Sequence, residues 1–251
     1  MKRTTVLVAA LLSLGALACA QGAAGERIVV PAREGAHPRL VNVSALNGSI
    51  TVKSYSGKDV IVETDGAKRA EEPAPAGMRR IDTPRDLEVN EEDNTINVRL
   101  DPPAFGKLVI SVPVETSLKL KTNLGPITVE GVSGEVEAES VNGEITLTGI
   151  SGTVVADSTN SAIKVTMDRV DPAKPMSFSS LNGSIDVTLP RDGKAIYKWQ
   201  TGDKGGYLYS KGASSGYQIR GKGSIFPGVN VKANAEISFR TLNGTIYLRW
   251  K

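Results

Sequence analysis

Six short segments of the chain are variants of one phrase. They are Asn47-Gly-Ser-Ile-Thr-Val, Leu124-Gly-Pro-Ile-Thr-Val, Asn142-Gly-Glu-Ile-Thr-Leu, Asn160-Ser-Ala-Ile-Lys-Val, Asn182-Gly-Ser-Ile-Asp-Val and Asn243-Gly-Thr-Ile-Tyr-Leu. A phrase that recurs at a fixed spacing marks an array in which each unit buries its apolar face on the next. Ile127, Ile145 and Ile163 are 18 residues apart, and Ile185 follows 22 later.

Within each unit the apolar residues alternate with polar ones, as in Ile145 and Leu147 against Glu144, Thr146 and Thr148. Alternation with β-branched residues, punctuated by Gly and Asn, is the pattern of strands. Two strands fit each unit. The first carries Ile127/Val129, Ile145/Leu147, Ile163/Val165 and Ile185/Val187, and the second Val136/Ala138, Val154/Ala156 and Met176/Phe178. Ser133-Gly134 and Ser151-Gly152 lie between them. In the early copy Ile50/Val52 and Val60/Val62 are expected in the same two roles, across Ser56-Gly57. An antiparallel sandwich would pair consecutive strands through these turns. A β-solenoid stacks equivalent strands in parallel, about 4.8 Å apart, around a narrow interior that suits Ala138 and Ala156. Only stacking requires one residue type to recur at one place, so the solenoid is the preferred reading.

The amino terminus is of another kind. Lys2 and Arg3 precede an uncharged run from Val6 to Ala18, the pattern of a secretory signal peptide over residues 1–18. Two processing sites compete. Ala18-Cys19-Ala20 fits cleavage before Gln21, and Gly15-Ala16-Leu17-Ala18-Cys19 resembles a bacterial lipobox, with cleavage before Cys19 and lipidation of that residue. Ala16 stands where a lipobox prefers a large aliphatic residue, whereas Cys19 is the only cysteine. An acyl chain contributes about 0.8 kcal/mol per buried methylene, so the choice separates a soluble protein from an anchored one. A lone cysteine excludes an internal disulfide. Without residues 1–18 the chain has 28 Lys plus Arg against 27 Asp plus Glu, a balance that does not call for nucleic acid. Membrane contact is expected only through a lipid on Cys19.

The remainder, 26–251, reads as a single solenoid domain with two excursions, a polar Pro-rich stretch at 68–84 and a Gly- and Tyr-rich insertion at 191–235 containing a hairpin. Tandem Asn-Gly-x-Ile-x-Val units with Ser-Gly turns, following a bacterial signal peptide, resemble the DUF4097 family of putative adhesins. The resemblance covers most of 40–190 and returns at 236–248. It implies an all-β, right-handed parallel β-helix (β-solenoid) with coils of about 18–22 residues, and it brings no established catalytic residues.

Little in the chain points to catalysis. His37 is the sole histidine, so nucleophilic triads would all have to pass through one Pro-flanked residue. A structural zinc site is excluded by ligand count, and no cofactor motif is present. Glu135, Glu137, Glu139 and Glu144, with Asp157 and Asp168 nearby, form an acidic face read as solvated, with no accompanying Lys, Arg or His cluster. Asn142, Asn160 and Asn182 are expected to stack at one corner, where Asn and Gly tolerate positive φ. The aromatic residues gather late: nine of twelve follow residue 190. Trp199, Tyr207, Tyr209 and Tyr217, with Lys211 among them, are the candidate ligand-binding residues, since rings beside cations suit glycan or protein recognition. The competing role for these rings is to cap the open end of the solenoid. The sequence therefore reads as a non-catalytic, exported envelope protein, adhesin-like, with an envelope glycan or protein as partner and neither cofactor nor metal. The alternative is a polysaccharide-active enzyme using paired carboxylates on the same scaffold.

Overall fold

The computed structural model describes residues 26–33, 38–64, 87–100, 106–171, 173–191, 196–202, 206–209, 217–219, 221–225 and 236–251. The expected signal peptide, Cys19, His37, the 68–84 excursion and Lys211 lie outside these residues.

Alternating sequence gives strands throughout, and no helix occurs among the described residues. The first six strands are β1 (Glu26–Val30), β2 (Leu40–Tyr55), β3 (Val60–Thr64), β4 (Leu87–Glu92), β5 (Thr95–Leu100) and β6 (Gly106–Pro113). The central ones are β7 (Ser117–Leu124), β8 (Ile127–Glu130), β9 (Val136–Ser140), β10 (Ile145–Ile150), β11 (Val154–Ser158), β12 (Ile163–Met167), β13 (Met176–Ser180) and β14 (Ile185–Leu189). The last are β15 (Ile196–Thr201), β16 (Gly206–Tyr209), β17 (Tyr217–Ile219), β18 (Lys222–Ile225), β19 (Glu236–Thr241) and β20 (Ile246–Trp250).

The chain is an all-β solenoid with two parallel ladders. One ladder stacks β2, β8, β10, β12, β14 and β20. The other stacks β2, β7, β9, β11, β13 and β19. The long β2 belongs to both. Consecutive strands such as β8 and β9 do not pair, which excludes the sandwich. Ile127, Ile145, Ile163, Ile185 and Ile246 pair in register and are fully buried, so the isoleucine of the repeated phrase is the spine of the core. On the facing ladder Leu120, Ala138, Ala156, Phe178 and Phe239 form an inward row, in which Phe178 and Phe239 stack with centroids 5.2 Å apart.

Both ends depart from chain order. Strands β5 and β6 lie outside β2, although they follow it in sequence. At the other end β15 and β16 lie outside β19 and β20, although they precede them. Each end is then closed by antiparallel strands: β4 on β5 and β3 on β6 at one end, β18 on β15 and β17 on β16 at the other. Strand β1 adds to β3, also antiparallel. Reversed strands end a parallel stack where a further parallel coil would otherwise dock.

Two expectations change. Val60 and Val62 do not fill the second role. They lie on β3, antiparallel to β6 in the isoleucine ladder, and the second role is taken by Val41 and Val43 of β2. The turn after β2 is one residue longer and is closed by the Tyr55 hydroxyl, which donates to the Asp59 carbonyl at 2.7 Å. Segment 191–235 contains the expected antiparallel pairings, yet its strands β15 and β16 also stack in parallel as an outer coil. The repeat signature is absent there because this coil has a parallel neighbour on one side only. Its inward positions carry the rings of Tyr197 and Trp199, in register with Ile237 and Phe239 of β19, whereas β9 and β11 carry only Val and Ala there.

Candidate binding groove

Each inner coil turns its corner in the same way. Strands β9, β11, β13 and β19 end on a buried hydroxyl, Ser140, Ser158, Ser180 and Thr241, and Thr122 of β7 is buried in register with Ser140. Ser140 Oγ accepts from the Gly143 amide at 2.9 Å, Ser158 Oγ from Ser161 at 3.1 Å, Ser180 Oγ from Gly183 at 2.9 Å, and Thr241 Oγ1 from Gly244 at 3.0 Å. This motif is Ser/Thr-x-Asn-Gly. The repeated Asn-Gly signalled it, and the hydroxyl three residues before the Gly completes it. The asparagines form a surface ladder: Asn160 donates to Asn142 at 2.8 Å, Asn182 to Asn160 at 2.7 Å, and Asn243 to Asn182 at 2.8 Å.

Positive φ is not what the corner needs. Among the corner glycines Gly48 and Gly125 have it, but Gly143, Gly183 and Gly244 do not. A Cβ on Gly143 would stand 1.6 Å from the Gly125 carbonyl oxygen, and one on Gly244 would stand 1.8 Å from that of Gly183. Close approach of the neighbouring coil is therefore the constraint.

Because the corner hydroxyls point inward, the residues on either side point outward and make the two walls of a groove. One wall is Glu139, Asp157, Ser179, Arg240 and Gln200. The other is the corner ridge of Val141, Thr159, Leu181, Leu242 and Gly202, with Leu181 and Leu242 exposed. Five coils contribute, so the groove runs along the solenoid axis for about 19 Å at one rung per about 4.8 Å. Its volume is about 370 Å³. The floor is main chain already engaged between coils. The amides of Val141, Thr159, Leu181 and Gly202 donate to Thr122, Ser140, Ser158 and Thr241, at 3.1–3.2 Å.

Charge changes along the groove. At one end Glu139 is held by Lys121 at 2.9 Å, with Glu137 and Lys119 beside them at the same distance. Asp157 is pushed above the ordinary carboxylate range, chiefly by burial, against a hydrogen bond from Ser179 that lowers it. Glu139 and Glu137 add repulsion in the raising direction. At the other end Arg240 lies in register between Ser179 and Gln200, and Gln200 lies opposite Lys222 of β18.

The acidic face is thus not simply solvated. Glu135, Glu137, Glu139, Glu144 and Asp168 pair with Lys174, Lys119, Lys121, Lys164 and Lys251. These lysines sit one coil or more away in sequence, so the pairing is invisible along the chain. Lys164 also holds Glu144 below its usual range, the largest cause being its hydrogen bond to that carboxylate. No group of three or more metal-ligating side chains occurs among the described residues.

The aromatic candidates divide between the two ladders. Trp199 lies on β15 and packs half-buried against the core, over Gly223, where a Cβ would stand 2.4 Å from its ring. Tyr207 and Tyr209 lie on β16 and Tyr217 on β17, in the other ladder. Tyr207 is in register with Tyr247, and Leu208 with Tyr217. The side chains of these three tyrosines lie outside the described residues.

No family model and no curated protein matches the chain. Among solved structures it is similar to a putative cell adhesion protein from Clostridium sporogenes ATCC 15579, at TM-score 0.45 and 11% identity over 90% of this chain and 100% of that one. It is also similar to a putative adhesin from Bacteroides fragilis NCTC 9343, at TM-score 0.45 and 12% identity over 89% and 96%. A putative adhesin from Parabacteroides merdae ATCC 43184 aligns at TM-score 0.27 and 10% identity over 90% and 96%. At these TM-scores and identities no shared role follows.

Proposed function

We propose that the protein is an exported, non-catalytic binding module of adhesin type that holds a linear envelope polymer along the groove. The groove itself carries this reading: five coils place matched side chains at regular rungs on a floor whose main chain is already bonded. Such a wall is rigid and pre-formed, so little ordering cost attaches to binding. The resemblance of the repeats to DUF4097 adhesins and the signal-like residues 1–18 support export and a surface role. Lipidation of Cys19 would anchor the module to the envelope. Cys19→Ser should then move it from the membrane to the soluble fraction, whereas a mature form beginning at Gln21 decides for the soluble protein.

Asp157 favours one second reading. A carboxyl with a raised pKa is what a general acid requires. A glycosidase, however, needs two carboxyls flanking the scissile bond. Here the neighbouring acid, Glu139, stands on the same wall and is already paired with Lys121, while the opposite wall is Val141, Thr159 and Leu181.

The test is retention of the mature protein on immobilised envelope glycans, compared with the double variant Leu181→Ser/Leu242→Ser. The variant should elute early with an unchanged melting temperature, and no new reducing ends should appear during incubation. Equal retention of variant and wild type defeats the groove. Release of reducing ends that is lost in Asp157→Asn establishes the enzyme instead.

A further inference from the structure

We infer that the groove selects a carboxylate-bearing glycan, a chain containing uronic-acid units, and that Arg240 and Lys222 are the residues that select it. This inference rests on the groove being a binding site. Cations on this outward face are otherwise neutralised: Lys119 by Glu137, Lys121 by Glu139, and Lys198 by Glu236. Arg240 and Lys222 are both exposed and have no ion-pair partner among the described residues. They stand in one row, two strands apart with Gln200 between them, about 10 Å from one another at the usual strand spacing.

An anionic unit is steered to this end because the far end offers it no free cation: Glu137 and Glu139 of β9 already hold Lys119 and Lys121, and Asp157 on the next rung has no cation partner among the described residues. The Arg240 guanidinium presents the planar fork that binds a carboxylate through two parallel hydrogen bonds, and Lys222 supplies a point charge two strands further on. Gln200 and Ser179 offer amide and hydroxyl groups to sugar hydroxyls between and beside them. Leu181 and Leu242, exposed on the other wall, provide the apolar surface that the C–H face of a sugar ring covers.

The bonded floor decides between a glycan and an acidic peptide. An extended peptide gains most of its affinity by pairing its main chain with a free strand edge. The floor amides of the groove already donate between coils, and Val141, Thr159 and Leu181 carbonyls already accept from Asn160, Asn182 and Asn243. Side chains alone remain to bind, which suits a polymer whose polar groups are hydroxyls and carboxylates.

The test is calorimetric titration of the mature chain with polygalacturonate oligomers, with the same oligomers fully methyl-esterified, and with polyglutamate. The acid form should bind at least about tenfold more tightly than the ester. Lys222→Gln should weaken it by about tenfold, the loss expected for one charge-assisted hydrogen bond, and Arg240→Gln by at least as much because it removes a two-pronged contact, with thermal melts unchanged. If acid and ester bind alike and Leu181→Ser/Leu242→Ser abolishes both, the groove stands and the anion assignment is overturned. Tighter binding of polyglutamate than of polygalacturonate overturns it in favour of a peptide. If none of the three ligands binds, the groove reading fails together with this inference.

Discussion

At the scale of single residues the corner glycine and the groove aspartate are each explained by what a neighbouring coil places against them. Gly143 has an ordinary φ, so alanine there would meet no conformational barrier of its own. Its Cβ would instead enter the space of the Gly125 carbonyl. Gly143→Ala should therefore destabilise by about 1–3 kcal/mol, the usual range for overpacking, seen as a lower urea midpoint. Ser161 stands at the equivalent corner of the next coil with the same hydrogen bond to the corner hydroxyl, so the cost at Gly143 comes from its own neighbour, the Gly125 carbonyl. Asp157 makes the opposite prediction. Its folded-state pKa is raised, so ionisation disfavours the folded protein, and the penalty appears as pH rises through that pKa. Asp157→Asn should melt slightly above wild type at pH 7, by no more than about 0.5 kcal/mol for a partly solvated group. The difference should vanish at a pH low enough to protonate the carboxyl in both states. A variant that melts below wild type at pH 7 would mean that the Ser179 hydrogen bond outweighs burial.

Strands show which parts of the structure could be read along the chain. The isoleucine ladder was legible because one residue type recurs every 18 residues and must face inward. Ile145→Asp would bury an unpaired carboxylate at a fully enclosed site and should cost about 4 kcal/mol or more, measured as loss of the cooperative melt. The groove was only half legible. Glu139, Asp157, Ser179 and Arg240 each immediately precede a corner hydroxyl, so aligning the Ser/Thr-x-Asn-Gly motif would have put them in one row. Gln200 and Lys222 carry no such motif. Their place depends on β15 and β18 stacking outside β19, a contact set by tertiary packing and by no local pattern. The misplacement of Val60 and Val62 has a similar cause. Their alternation is that of any strand and carries no sign that β3 reverses and pairs antiparallel with β6, a contact made by a strand more than forty residues later. Paired charges such as Lys121 and Glu139 were hidden for the same reason, since their spacing becomes a contact only once the coil length is known.

At the scale of the molecule, a solenoid's stability is a sum of coils and of the interfaces between them, so damage should stay near where it is made. The two ends test this best, because each is an out-of-order coil closed by reversed strands. Trp199 is the most informative position. Its ring packs half-buried against the core of the last coil and lies over Gly223 of the closing strand, while Tyr197 beside it meets Trp250 edge-on at 6.2 Å. Trp199→Ala should remove about 2 kcal/mol of packing, less than a fully buried tryptophan because the ring is only half enclosed. Hydrogen exchange followed by mass spectrometry should then show faster exchange in 196–202 and 221–225. The neighbouring strands β19 and β20 should lose some protection at the face they share with β15 and β16. Coils between Ser117 and Met167 should exchange as in wild type. Confinement of the change to the end assigns Trp199 to closure of the solenoid, and it leaves the groove walls of the inner coils intact for ligand. Equal loss of protection in the inner coils would show that the stack opens as one unit and that closure at this end supports the whole of it.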